Sequence, residues 1–221
     1  MSRTGVRALL SVIAIPMTIS QWTPIPIASK ELPKLQIIGE SSWELTTKQS
    51  AGGYAFLLKE PTGGNVGLRW EWKVSKFPAP TGKRDDYAVR VGVLLSDNES
   101  KLPVPEKFEK LLSEKKQSLS YIVFYDASEP DKGLNGCSIS PQSARIANCF
   151  ISVSAEKSKV LVSPIEDATL RFNLSASDRT KLKVVGVWVF GDSDDSESES
   201  KAFIEKIELS TTEVAENKKV K

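Results

Sequence analysis

Alternation of apolar and polar residues at period two dominates the chain after residue 34, and it limits the possible folds more than any other feature. Leu68, Trp70, Trp72 and Val74 share one face of an extended segment, with Arg69, Glu71 and Lys73 on the other. Tyr87, Val89, Val91 and Val93 form a second apolar row against Ala88, Arg90 and Gly92. Successive side chains of a strand point to opposite sheet faces, so such rows mark half-buried strands. Further candidates lie at 43–46, 54–59, 119–125, 146–154, 160–163, 169–175, 184–190 and 203–209. Turn clusters such as Ala51-Gly52-Gly53 and Pro61-Thr62-Gly63-Gly64 separate them. About ten strands at this spacing predict an all-β, antiparallel jelly-roll-like β-sandwich. One segment departs from the pattern. Pro105 opens a run with Phe108, Leu111 and Leu112 at helical spacing, which predicts one short helical insert over about 105–116.

The start of the chain reads differently. Arg3 and Arg7 precede an uncharged, mostly apolar run from Ala8 to Ile19. A basic start followed by a short apolar run is the layout of a secretory signal peptide, and the run is too short to span a bilayer. Small-residue exits follow at Thr18-Ile19-Ser20 and Ile27-Ala28-Ser29. Cleavage after Ser29, where polar sequence begins, is the expectation. The chain then divides into a leader (1–29), a sandwich domain (30–210) and a polar, frayed tail (211–221). Such a protein is periplasmic or extracellular, with no membrane span once the leader is removed.

Composition narrows the chemistry. With no histidine in 221 residues, a Ser-His-Asp triad, a His-ligated metal and a His-based pH switch are all excluded. Apart from Arg3 and Arg7, 28 basic residues balance 28 acidic ones. Nucleic-acid binders carry a basic excess that displaces counterions from phosphates, so nucleic acid is not the expected partner. Cys137 and Cys149 are the two cysteines, and in an exported chain they suit one disulfide across a turn or hairpin. Two free buried thiols are the alternative.

Three blocks carry a family resemblance. Leu68-Arg69-Trp70-Glu71-Trp72-Lys73-Val74, Asp85-Asp86-Tyr87-Ala88-Val89-Arg90-Val91 and Gly186-Val187-Trp188-Val189-Phe190-Gly191-Asp192 occur in the order and spacing of the domain-of-unknown-function family numbered 3047. The resemblance covers roughly residues 35–210. Gly191 stands where that family begins its acidic run with Thr, and Asp195 where it has Asn. The resemblance implies an exported bacterial protein with a jelly-roll sandwich like those of carbohydrate-binding modules. It supplies no activity.

Three constellations are candidate sites. Arg69, Glu71 and Lys73 would line one sheet surface, joined by Arg90 if its strand pairs alongside, with Trp188, Tyr121 and Tyr125 adding aromatic surface. Such a face would bind a saccharide or another small polar ligand, with arginine suited to carboxylates. Its alternative is a ladder of opposite charges that only solvates the sheet and fixes register. Arg90 is expected beside Glu71 or a loop aspartate, with its stem on Trp188. In the acidic run after Gly191, Asp192, Asp194 and Asp195 could hold a structural calcium, which takes six to eight oxygens. A solvated acidic loop is the other reading. Asp85 and Asp86 could bind a cation or cap a turn. A non-catalytic binding domain is the leading expectation. A carbohydrate-active hydrolase or lyase on the same face, or an envelope structural or assembly protein, stands as the alternative.

Overall fold

A computed structural model describes residues 11–15, 17, 21–27, 30–39, 42–79, 86–128, 136–152 and 158–213. The alternating segments pair into two sheets that face each other. The six-stranded sheet runs β11 (Ser158–Val162), β6 (Val66–Lys76), β13 (Glu199–Glu213), β4 (Trp43–Lys48), β3 (Lys34–Ile37), with β1 (Ser11–Ile15) also on β13. One edge of β13 pairs with β6, and the other takes β4 along its first half and β1 along its end. The seven-stranded sheet runs β2 (Thr23–Pro26), β5 (Ala51–Gly63), β12 (Lys183–Asp192), β7 (Tyr87–Ser96), β8 (Tyr121–Ser128), β10 (Ser143–Ser152), β9 (Gly136–Ser140). Its neighbours are antiparallel except β8 and β10, which run parallel.

The apolar rows meet between the sheets. Leu68, Trp70 and Trp72 from β6 face Val89, Val91 and Val93 from β7, joined by Val123, Val187 and Val189. Trp70 and Trp72, two residues apart and so on one face, are fully buried with their rings stacked at 3.9 Å. The Cys137–Cys149 disulfide is formed, and it links directly opposed residues of β9 and β10.

Among the described residues, three helices accompany the sheets where one was expected. The first, α1 (Glu106–Glu114), lies where Pro105 and the helical spacing place it, and it buries Phe108 and Leu112. The second, α2 (Pro164–Arg171), runs into the strand expected over 169–175, and α3 (Ala176–Lys181) follows directly after that range. The alternation of Leu170, Phe172 and Leu174 is overridden by a helix start. Pro164 takes the first helical turn, Glu166 and Asp167 sit at the positive end of the helix dipole, and Ile165 and Ala168 bury one face. Leu170, read as an apolar strand residue, is 71% exposed.

Residues before position 30 also belong to the fold. Trp22 packs edge-on against Trp43, with centroids 4.6 Å apart, and Ile25 of β2 is fully buried. Most of residues 1–20, and everything after Glu213, lie outside the described residues. No helix among the described residues is long and apolar enough to cross a membrane.

Candidate functional site

The charged face and the aromatic residues expected beside it fall in three different places. Arg69, Glu71 and Lys73 line the outside of the six-stranded sheet, opposite the Trp70/Trp72 row. There Arg69 Nε donates to Glu71 Oε1 at 2.7 Å, and Lys159 of the neighbouring strand stands 3.8 Å from the same oxygen. Lys206 and Glu208 of β13 lie across from Glu71 and Arg69 and pair with each other at 2.9 Å. This surface is a ladder of alternating charges that fixes register, with Lys73 exposed at its end. Tyr121 and Tyr125 point between the sheets. Tyr121 lies against Phe172 at 4.8 Å, and the buried Tyr125 hydroxyl donates to Asp167 at 2.7 Å. Burial, together with the Asp167 charge, holds that phenol well above its ordinary pKa.

Arg90 belongs to the other sheet. It sits mid-strand in β7 on the outer face of the seven-stranded sheet, with Trp188 and Phe190 of β12 and Phe124 of β8. A bulge near Gly186 sets the parity that turns Trp188 to this face. Phe108 of α1 packs on Trp188 at 5.2 Å, and Leu102, Leu112 and Leu119 complete a second, smaller core over one end of the face. The other end stays open as a cleft of about 630 Å³. Its walls are the segment leading into α1 and the β9–β10 hairpin, which contributes Ser138, Gln142 and Asn148.

The middle of this cleft is unusual for a sheet surface. The Arg90 guanidinium carbon lies 4.1 Å from the Phe124 centroid, 4.4 Å from Phe190 and 4.5 Å from Tyr87. Gly92, next on the same face, makes room for this arrangement, since a Cβ there would lie 2.6 Å from Phe124 Cε1. Asp126 is directly across from Arg90 in the ladder and is fully buried, and neither of its oxygens has a hydrogen-bond partner. Burial pushes its carboxyl up to about 7 against the opposing pull of Arg90. The salt bridge expected between Arg90 and Glu71 does not form, because the two residues lie on the outer faces of opposite sheets.

At the rim, Asp86, Asp192 and Asp194 each bring a carboxylate oxygen within 4.8 Å of the others. Asp195, expected among the ligands, is not in this trio. Its backbone N–H instead donates to Asp86 at 3.4 Å, and that of Ser196 does so at 2.7 Å. Lys30 Nζ pairs with Asp194 at 2.8 Å. Burial, and then Asp194 itself, raise the Asp192 carboxyl. Asp194, although burial opposes its charge, is held below the usual range by hydrogen bonds from Lys30 and Asp192. The trio offers carboxylate oxygens of the kind a hard cation takes, and the Lys30 ammonium already offsets one of its charges. Asp85, the other half of the expected aspartate pair, lies outside the described residues.

Sequence reading missed Phe124, Phe190, Asn148 and Asp126 as companions of Arg90. Parity offered a signal for two of them. Given that Trp188 faces outward, Phe190 must as well, and if Val123 is in the core, Phe124 is not.

Comparison with known proteins follows this architecture. A model for the family described as protein of unknown function (DUF3047) matches residues 20–208. No curated protein matches the sequence. Among solved structures, the family 12 xyloglucanase from Bacillus licheniformis in complex with ligand aligns with a TM-score of 0.50 at 7% identity, over 92% of this chain and 100% of that one. The xyloglucanase domain of NopAA, a type three effector from Sinorhizobium fredii, in complex with cellobiose, gives 0.48 at 9% identity, over 94% and 99%. A CBM4 structure gives 0.34 at 10%, over 88% and 96%. At such identities the likeness is one of fold.

Proposed function

The chain belongs to the DUF3047 family, and from its cleft we propose that it binds a saccharide or similarly hydroxyl-rich small molecule without transforming it. The observation that carries this reading is the juxtaposition of aromatic rings with hydroxyl and amide side chains in one open cleft. Half-buried Tyr87 and Phe150 offer apolar surface for the C–H faces of a sugar ring, over the buried rings of Trp188 and Phe124. Ser138, Gln142 and Asn148 offer donors and acceptors for its hydroxyls. The fold likeness to a xyloglucanase from Bacillus licheniformis supports a saccharide as the ligand class. Among the described residues lining the cleft, the carboxylate is Asp192, already engaged with Asp194. Glycoside hydrolysis needs two carboxylates, ~5–9.5 Å apart, across the scissile bond, which favours binding over turnover.

Export through the leader is part of the same proposal, supported by the basic-apolar start and by a disulfide that an oxidising compartment maintains. Calorimetric titration of the purified protein with gluco- and xylo-oligosaccharides tests the binding reading, with reducing ends assayed in the same samples. Saturable binding without new reducing ends is expected, weakened by Asn148→Ala and Gln142→Ala. Steady release of reducing ends would reassign the protein as a hydrolase, and no binding by any oligosaccharide would remove the reading.

A further inference from the structure

We propose that the ligand of this cleft carries a carboxylate, as a uronic-acid sugar does, and that the Arg90 guanidinium is its partner. This rests on the saccharide reading above and names the class of sugar. Arg90 is the cation among the described residues that line the cleft. An arginine is charged at every accessible pH, and its donors lie in the plane of the guanidinium. The rings of Tyr87, Phe124 and Phe190, 4.1–4.5 Å from Cζ, stack against the cation. Such cation–π contacts hold the charge in place without giving its N–H donors an oxygen acceptor. No described residue accepts a hydrogen bond from Arg90 or stands within ion-pair distance of it, and Nε is shut off from solvent without an acceptor. A held, planar, half-desolvated fork with unused donors fits the two oxygens of a carboxylate.

The nearby acids do not fill that role. Asp126 shares the outer face with Arg90 but is fully buried, does not line the cleft and makes no hydrogen bond, and Asp192 at the rim is joined to Asp194. Across the cleft, Asn148 holds a buried amide oxygen with no partner. A hydroxyl beside the carboxylate of a sugar would supply the missing donor. A uronic acid carries both groups on one ring.

The test compares galacturonate, glucuronate and mannuronate oligosaccharides with their methyl esters and with neutral gluco-oligosaccharides, all by calorimetry on the full protein. At least one acid is expected to bind about tenfold or more tighter than its own ester, the scale of a charged hydrogen-bonded pair. Arg90→Lys should erase most of that preference for acid over ester, because the charge stays and the fork is lost. If the variant does not fold, the acid-against-ester comparison on the unaltered protein decides alone. Equal affinity for acid and ester, or binding of neutral sugars only, overturns the carboxylate inference and leaves the saccharide reading standing. A full acid preference in a folded Arg90→Lys protein overturns the role of Arg90. Failure of every sugar to bind overturns both readings together.

Discussion

Asp126 is the residue whose environment is most at odds with its chemistry. Burial raises its carboxyl to about 7, against ~3.9 in an unfolded chain. The native state therefore holds this proton more tightly than the unfolded state does. Stability linked to Asp126 is complete below about pH 4, falls as pH rises through about 7, and is constant above that. Three pH units correspond to a loss of at most about 4 kcal/mol. Urea denaturation of wild type and Asp126→Asn at pH 5 and pH 8 checks this. The variant is expected to gain on the wild type as pH rises, and parallel losses in both would show that Asp126 is not the group responsible. At the rim, Lys30 already supplies positive charge to Asp194. Millimolar calcium is therefore expected to move the melting midpoint by less than about 1 °C, whereas a rise of several degrees would mean that calcium displaces the lysine.

Pairing between elements depends on close approach at a few points. Gly53 of β5 lies against the backbone of β12, and a Cβ there would overlap the Val189 carbonyl oxygen. Gly53→Ala must push two central strands apart, so a loss of more than about 2 kcal/mol in urea denaturation is expected. A neutral result would mean that the strands shift freely. The disulfide acts differently, by restricting the unfolded chain. Replacing Cys137 and Cys149 with Ala should cost ~3 kcal/mol in the same assay and leave the far-ultraviolet circular dichroism spectrum unchanged. Strands with one buried face were legible because alternation records that face directly, as in 68–74 and 87–93. The helix α1 was legible because Pro105 and the apolar spacing agreed. Short edge strands such as β2 and β3 left no such trace, and α2 was hidden by a coincidental alternation. Above all, alternation says which side chains share a face of one strand and nothing about which strand lies next to it. Arg90 and Glu71 were therefore assigned to one surface, although their strands belong to different sheets.

At the scale of the whole molecule, the N-terminal boundary has a structural cost. Cleavage after Ser29 would remove β2 with its buried Ile25, and Trp22 from its contacts with Trp43 and Phe56. Cleavage at the earlier exit, after Ser20, keeps them and gives up only the strand β1, at the end of β13. Intact-mass measurement of the exported protein should find Gln21 as the first residue. A mature chain beginning at Lys30 would contradict this and should melt lower than one beginning at Gln21. The placement of β13 has a wider consequence. It follows every other strand in the sequence, yet it is the strand through which β6, β4 and β1 are joined. Until residues 199–213 emerge, the β3–β4 and β6–β11 pairs of that sheet have no common partner, and the sheet cannot close as one layer over the other. Closure of the six-stranded sheet thus waits for residues 199–213. On the export reading proposed above, the chain stays threadable through a narrow translocation pore until this strand pairs.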